Sequence, residues 1–139
     1  ISKYISSQDV YVCPSVVSGL ESSKYGSYAY SMSFYHSPEQ INGINNYCQT
    51  KKPDPELLVT AQKLESVAKP ESKVFFGEWQ SNHALIEDEK GWWNFSGKRN
   101  FVFSDGHSAF LDAKDINPAN DQLPDANLTI DGIKGSDYN

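Results

Sequence analysis

The chain has 139 residues, which fits one domain with its own hydrophobic core, so residues 1–139 are treated as a single domain. Hydrophobic residues make up 38% of the chain and charged residues 22%, a globular composition that excludes a disordered protein. Twelve Lys and Arg against eighteen Asp and Glu give a net charge of −6, so the sequence predicts no binding to nucleic acid and no adhesion to anionic lipid.

The first predicted strand covers residues 9–13, where polar and apolar side chains alternate up to Pro14. This segment contains Cys13, one of two cysteines in the chain. A disulfide between Cys13 and Cys48 would close a loop of roughly 35 residues and stabilise the fold by about 3–4 kcal/mol. Two buried free thiols are the alternative, and the spacing alone does not choose between them. An exported protein would favour the bridge.

A second strand is predicted over residues 27–34, where large and small side chains alternate. A period of two is that of a half-buried strand. One face would carry the large residues and the other face the small ones: Tyr28, Tyr30, Met32 and Phe34 against Ser27, Ala29, Ser31 and Ser33.

A short helix is predicted to begin after Ser37. This residue is a typical N-cap, Pro38 suits the first turn, and Gln40 completes a capping box. Gly43 limits the helix to about one turn.

A longer helix is predicted between Asp54, a plausible N-cap, and Pro70, which lies just beyond its end. Pro55 would be its first residue. Apolar residues recur at helical spacing through this segment, namely Leu57, Leu58, Ala61, Leu64 and Ala68.

The second half of the chain favours strands. One is predicted over residues 73–79, and shorter ones over residues 83–86 and 92–95. Two further apolar arms, on either side of Asp105 and Gly106, predict a β-hairpin closed by a type I′ turn, in which both central residues have positive φ. The order of elements predicts an α+β fold with an antiparallel sheet.

The turn sequence Asp105-Gly106-His107 has the residue types of a catalytic or binding site. A tight hairpin turn explains the same residues more simply, and we assign them that structural role.

The composition shifts after Leu111. Residues 112–139 contain six Asp, four Asn and two Pro, which predicts a loop or tail that wraps the surface with little regular structure. Closely spaced carboxylate and amide oxygens are also the ligands that calcium prefers. The candidate calcium ligands are Asp121, Asp125, Asn127 and Asp131. The EF-hand pattern fails because Ile130 stands in place of its Gly, and a polar loop without metal is the alternative.

Three tryptophans provide the apolar rings that sugar-stacking platforms use. Trp92 and Trp93 are adjacent and would point to opposite faces of a strand, so at most one of them joins Trp79 in a flat platform. Packing in the core is the alternative for these rings.

Motifs of catalysis are absent from the sequence. The three histidines do not form H-E-x-x-H and have no zinc-ligand spacing to the cysteines, and there is no G-x-S-x-G, P-loop or G-x-G-x-x-G. The sequence therefore predicts a protein that is not an enzyme and requires no cofactor.

Four segments, in this order, carry a resemblance to a known family. They are V-Y-V-C-P-S at 10–15, G-S-Y-A-Y-S at 26–31, P-E-S-K-V-F-F-G-E at 70–78 and G-K-R-N-F-V-F-S-D-G-H at 97–107. Together they resemble the prepilin-type proteins with a DUF1559-like C-terminal domain, named after its H-x9-DG motif. The chain departs from that motif at its His, because position 95 is Phe95.

The resemblance implies a pilin-like globular head from a pilus or type II secretion pseudopilus. Such proteins are made with a leader that a prepilin peptidase removes, followed by a long apolar helix that anchors the precursor in the inner membrane and later packs in the filament. That helix would precede residue 1. The implied partners are other pilin or pseudopilin subunits and secretion-system components, the implied location is the periplasm or cell surface, and a calcium-binding C-terminal loop occurs in major pseudopilins. A carbohydrate-binding or adhesin module that uses the tryptophans is the alternative function.

Overall fold

The computed structural model describes residues 11–15, 26–44, 58–83 and 95–139. In these ranges four strands form one antiparallel sheet in the order β1-β2-β3-β4. The strands are β1 (Tyr28–Tyr30), β2 (Val74–Glu78), β3 (Lys98–Phe103) and β4 (Ser108–Asp112), and the helix α1 spans Pro38–Asn42. The prediction of a small α+β domain with an antiparallel sheet is confirmed.

One face of the sheet packs on the core. The cross-strand pairs place Ala29 beside Gly77, Gly77 beside Phe101, and Phe101 beside Ala109. Phe101 is fully buried, and a Cβ on Gly77 would lie 2.6 Å from its ring. Glycine is therefore required at position 77, because only a bare backbone lets the aromatic ring approach this closely.

The segment 112–139 supplies the layer that covers this face. It has little regular structure, as predicted, with 3-10 turns at Ala113–Asp115 and Gly132–Lys134. The prediction that it wraps the surface is wrong, because Ile116, Leu128 and Ile133 are at most 1% exposed. Ile116 packs with Phe101, and Ile133 packs in a second cluster with Phe34 and Val67. Apolar residues spaced between the Asp and Asn residues make this irregular segment part of the core.

The predicted strand over residues 27–34 is much shorter. Only β1 is extended, and Met32–Phe34 form a 3-10 turn that begins with Ser31 as N-cap. Within β1 the predicted alternation is observed, with Tyr28 and Tyr30 exposed on either side of the less exposed Ala29, and it fails beyond β1, where Ser31, Met32, Ser33 and Phe34 are all buried. The serines tolerate burial since their hydroxyls are bonded: Ser31 Oγ donates to Ala126 O and accepts from Ser33 N.

The short helix is confirmed and the long one is not. In α1 the Ser37 and Gln40 side chains form the predicted capping box, and Gly43 is the C-cap that follows the last helical residue. The described part of the long helix, residues 58–68, has no regular structure apart from a 3-10 turn at Leu64–Ser66.

Tertiary hydrogen bonds replace the helical ones in that segment, since Thr60 N donates to Tyr35 O and Gln62 N donates to Phe34 O. Leu58 and Leu64, which the helical pattern placed on its apolar stripe, are exposed. Among the described residues, no helix combines the length and the apolar character needed to cross a bilayer.

The predicted strand over residues 9–13 is absent in its described part, Tyr11 to Cys13. The segment is held by two single bonds instead of a ladder: Ser27 N donates to Tyr11 O, and Cys13 N donates to Ser27 Oγ. The strand predicted over residues 73–79 is confirmed as β2. His83 lies in a turn, and residues 84–86 and 92–94 lie outside the described ranges.

The β3–β4 hairpin is confirmed, but its turn is not type I′. Asp105 has negative φ, and Gly106 alone in this loop has positive φ, at 93°. Gly106 N donates to Phe103 O and Phe103 N donates to His107 O, so the loop holds three residues, 104–106. A turn followed by a left-handed glycine is the usual geometry of a three-residue hairpin loop.

We expect Gly106→Val to lower the free energy of unfolding by about 1 kcal/mol or more, because a β-branched residue is strained at positive φ. No atom lies within 4 Å of a Cβ built on Gly106, so the loss would report backbone strain alone. Gly43→Ala is the matched control, because Gly43 has φ −77° and any residue adopts that angle. Urea unfolding measures both variants, and equal stabilities would contradict the turn assignment.

Candidate functional site

The sheet face that points away from the core carries a buried carboxylate. Tyr28 pairs with Glu78 across β1 and β2, and Asn100 pairs with Phe110 across β3 and β4. The register of β2 and β3 places Glu78 beside Asn100, so the four side chains form one row across the sheet. Tyr28 and Phe110, at the ends of the row, are exposed, whereas Glu78 is 0% exposed. A fully buried Glu on this face must be covered by other parts of the chain.

Neighbouring amides hold the Glu78 carboxylate. Its Oε2 accepts from Asn100 N at 2.7 Å and from Asn100 Nδ2 at 3.0 Å. Its Oε1 accepts from Asn82 Nδ2 at 3.0 Å and lies 3.1 Å from His83 Nε2. These contacts fix the carboxylate in one orientation with Oε1 turned towards His83.

Two loops bring a thiol and an imidazole to this carboxylate. Cys13 is anchored by its backbone bond to Ser27, next to β1, and its Sγ lies 3.6 Å from His83 Nε2. His83 follows β2, and its ring meets Phe110 edge-on with centroids 5.3 Å apart. The ligand atoms of Cys13, Glu78 and His83 all lie within 4.8 Å of one another.

All contacts of the imidazole in this cluster fall on the same nitrogen. Nε2 of His83 faces the Cys13 sulfur, the Glu78 oxygen and the Asn100 amide. In a Cys-His nucleophilic dyad the orienting group binds the other ring nitrogen, so that one nitrogen is free to take the thiol proton. In the part of the chain that the structure describes, no such orienting group binds Nδ1 of His83, so the described geometry is not that of a nucleophilic relay.

The protonation of Cys13 supports the same conclusion. Burial, with Glu78 adding to the effect, raises the pKa of the Cys13 thiol. A nucleophilic cysteine needs a lowered pKa, because the thiolate is the reactive form. What the three side chains can do together is donate sulfur, nitrogen and oxygen lone pairs to a common point.

The sequence contains little that would reveal this cluster. Cys13 and His83 are 70 positions apart, and no metal-binding spacing connects them. Glu78 was predicted only as a strand residue. The available signal was the charge of Glu78 at the end of an otherwise apolar strand, because a charged side chain that becomes buried needs a polar or charged partner.

Trp79 lies in the core, 2% exposed, and its Nε1 donates to Gly26 O at 2.8 Å. It therefore does not lie in a surface platform. Trp92 and Trp93 lie outside the described residues.

The turn residues Asp105, Gly106 and His107 lie at the exposed tip of the β3–β4 hairpin. Asp105 Oδ1 accepts from His107 N at 3.0 Å and lies 2.7 Å from His107 Nδ1. The His107 ring stacks on Phe103 with centroids 4.4 Å apart. Hydrogen bonds from His107 lower the pKa of Asp105. Among the described residues, the side chains of Asp105 and His107 have their partners within the hairpin itself, and Asp105 N donates to Pro70 O, in keeping with a structural role.

The four candidate calcium ligands do not all lie together. Asn127 Oδ1 accepts from Met32 N, and Asp131 Oδ1 accepts from Asn42 Nδ2 of α1. Asp121 and Asp125 have neighbouring carboxyl groups: burial, opposed by a bond from Asn127 N and reinforced by Asp121, raises the pKa of Asp125 to about 7. Calcium binding stays a prediction, and Asp121 and Asp125 would have to supply the protein ligands.

Cys13 has a free thiol, and Cys48 lies outside the described residues. The Cys13–Cys48 bridge therefore stays a prediction. Because the bridge would consume the Cys13 sulfur, the bridge and the cluster with His83 are alternative states of the same residue.

No family model, no curated protein and no solved structure matches this chain.

Proposed function

We propose that this chain is the non-enzymatic globular head of a pilin-like or pseudopilin-like filament subunit. The proposal combines the four-segment resemblance with a small α+β domain whose sheet is antiparallel. The head would act as a rigid body that faces solvent and neighbouring subunits, in the periplasm or at the cell surface. Its partners would be other subunits and secretion-system components.

The observation that carries the proposal is where the four segments lie. Segments 26–31, 70–78 and 97–107 contain β1, β2 and β3, which are neighbours in the sheet. Segment 10–15 is attached to the first of them through Cys13 and Ser27. Segments far apart in sequence thus form one continuous unit, as expected if they resemble the family because they build the same head.

The arrangement of the C-terminal segment fits a load-bearing subunit. Asp137 N donates to Ser72 O, just before β2, and Asp137 accepts from the buried Lys73. The final residues are therefore fastened into the core beside the sheet. A head built in this way resists peeling of its C-terminus, which a filament subunit under tension would need.

The carbohydrate-binding alternative loses one of its three residues, because Trp79 is buried. Trp92 and Trp93 carry what remains of that hypothesis. Glycan binding that is lost on Trp92→Ala or Trp93→Ala would support it.

The test is mass spectrometry of the N-terminus of the native protein recovered from cell envelopes. We expect a mature N-terminus with a methylated first residue, followed by about 20 apolar residues, the length that spans a bilayer. A mature protein that begins at a cleaved secretory signal, without such a helix, would contradict the filament role.

A further inference from the structure

We propose that Cys13, Glu78 and His83 form a binding site for a zinc-class divalent metal ion. The three side chains come from the N-terminal loop, the end of β2 and the turn after it. Thiolate and imidazole are the ligands that distinguish zinc sites from calcium or magnesium sites, and a carboxylate is a common third ligand. The site is separate from the candidate calcium ligands of segment 112–139.

Two of the three ligand separations are close to those of tetrahedral coordination, and all three are within 4.8 Å. With Zn–S near 2.3 Å and Zn–N or Zn–O near 2.0 Å, ligand atoms of a tetrahedron are roughly 3.3–3.5 Å apart. Cys13 Sγ and His83 Nε2 are 3.6 Å apart, and His83 Nε2 and Glu78 Oε1 are 3.1 Å apart. A small ion could therefore bind after shifts of a few tenths of an ångström in these two separations.

Hydrogen bonding alone leaves a conflict at His83. If Nε2 carries a proton, it lies 2.8 Å from Asn100 Nδ2, and two donors then face each other. If Nε2 carries a lone pair, that lone pair lies 3.1 Å from a carboxylate oxygen of Glu78, and two acceptors then face each other. Turning the Asn100 amide around would place its oxygen 3.0 Å from Glu78 Oε2. No protonation state of the imidazole satisfies both contacts with an ionised Glu78. A cation removes the repulsion between His83 Nε2 and Glu78 Oε1, because the nitrogen and the oxygen then both direct lone pairs at it, while Asn100 Nδ2 still has Glu78 Oε2 as its acceptor.

Charge balance supports the same assignment. Glu78 is fully buried, and a buried carboxylate needs compensating charge as well as hydrogen bonds. A thiolate from Cys13 and the Glu78 carboxylate together balance one divalent ion, so the loaded site is neutral. Metal binding would displace the thiol proton of Cys13, because the thiolate is the form that binds zinc.

The surroundings have the features of a metal site. Asn82 and Asn100 donate hydrogen bonds to the Glu78 carboxylate. Residues that do not touch the ion commonly orient metal ligands through hydrogen bonds of this kind. The His83 side chain is 29% exposed, so an ion can reach the site and a water can complete its coordination. Asn100 would keep its bond to Glu78 Oε2 when His83 binds the ion.

A bound ion would fasten the N-terminal loop to the sheet. Among the described residues, the backbone of this loop is bonded through Cys13 N to Ser27 Oγ and through Tyr11 O to Ser27 N, so both backbone attachments end at the same residue. A metal bond from Cys13 to Glu78 and His83 would add a third attachment, directly to the end of β2. The site does not require a filament role, and the isolated domain should bind zinc whether or not that role is correct.

The test is titration of the reduced, chelator-treated protein with Zn²⁺ by calorimetry. We expect one equivalent to bind and the melting temperature to rise, because the ion binds only the folded arrangement. Co²⁺ in place of Zn²⁺ should give a sulfur-to-cobalt charge-transfer band and intense visible bands of tetrahedral cobalt. The reductant keeps Cys13 available whether or not the bridge to Cys48 forms under oxidising conditions.

Matched variants locate the site. Asn82 only orients a ligand, so Asn82→Ala should weaken Zn²⁺ binding by roughly 10–100-fold. Cys13→Ser and His83→Gln each remove a ligand and should weaken binding by more than that. His107→Gln and Cys48→Ser should bind like the unchanged protein. His107 is a fair control because it also lies beside a carboxylate, at 2.7 Å, but has no thiol among its contacts at the hairpin tip.

Two results would overturn the site. One is a reduced, folded protein that binds no stoichiometric Zn²⁺ and gives no sulfur-to-cobalt band, an experiment that needs no variant. The other is binding that survives both Cys13→Ser and His83→Gln. Circular dichroism of the metal-free variants confirms that they are folded, so weakened binding is not mistaken for unfolding.

Discussion

Lys73→Met should destabilise the protein by about 3–5 kcal/mol, the usual cost of leaving one charge of a buried pair without its partner. Lys73 Nζ donates to Asp137 Oδ2 at 2.8 Å, and the two side chains are 0% and 3% exposed. Burial lowers the pKa of Lys73, and the attraction of Asp137 opposes that effect. Methionine keeps the length and apolar stem of the lysine, so the loss reports the charge and its hydrogen bonds.

The chain offers a matched control in Lys98→Met. Lys98 pairs with Asp112 at 3.5 Å, with side chains 52% and 38% exposed. Exposed pairs contribute about 0–1 kcal/mol, so Lys98→Met should be close to neutral. Urea unfolding of both variants gives the free energies, and equal values would contradict a stabilising buried pair at Lys73.

A double variant separates the pair from its surroundings. Asp137 Oδ2 also accepts from Val74 N at 2.8 Å, and the amide oxygen of Asp137→Asn can keep that bond. We expect Lys73→Met combined with Asp137→Asn to be less destabilising than the sum of the single changes, because no unpaired charge remains. Additive losses would mean that the two side chains act independently.

Local signals in the sequence were sufficient for part of the fold. The α1 helix and the β3–β4 hairpin were predicted correctly, because a capping box and a turn glycine act within a few residues of themselves. The helix predicted from Pro55 fails over its described part for the opposite reason. Its apolar spacing is local, but the backbone bonds of Thr60 and Gln62 go to residues 34–35, which no periodicity indicates.

The core and the site depend on contacts between distant residues. The Asp- and Asn-rich composition of residues 112–139 indicated a surface tail, yet Ile116 and Leu128 are buried there, since composition does not say which residues point inward. Likewise, the Cys13–His83 contact follows only from the sheet register and two loops. The sequence named Cys13 only as a candidate for a bridge to Cys48, and nothing in it connects Cys13 with His83.

We expect the protein to become less stable as the pH rises from 4 to 8, because the buried Asp125 side chain loses its proton in this range. Burial raises the pKa of Asp125 from 3.8 to about 7 in the folded state, so the folded protein binds the proton more tightly than the unfolded chain does. The stabilisation from this proton is complete below about pH 3.8 and is lost as the pH rises through about 7. The full shift corresponds to roughly 4 kcal/mol at most.

Asp125→Asn isolates this effect. The asparagine amide is neutral at every pH, and its oxygen can accept the bond that Asn127 N donates to Asp125 Oδ1 at 2.8 Å. With chelator present, we expect the variant to exceed the unchanged protein in free energy of unfolding, by an amount that grows from pH 4 to pH 8. His36, whose pKa is lowered by burial, has the opposite pH dependence, but it is present in both proteins and cancels. Asp115→Asn, at an exposed position, should show no such growth.

The same pair of proteins tests the calcium prediction. At pH 8 Asp125 is ionised beside Asp121, whose Oδ2 is buried without a hydrogen-bond donor among the described residues. Calcium bound between the two carboxylates would restore the melting temperature of the unchanged protein at pH 8 and would leave Asp125→Asn unaffected. A melting temperature that chelator does not lower would end the calcium prediction. Parallel stability curves for Asp125→Asn and the unchanged protein would separately contradict the raised pKa, because an ordinary carboxyl would already be ionised by pH 5.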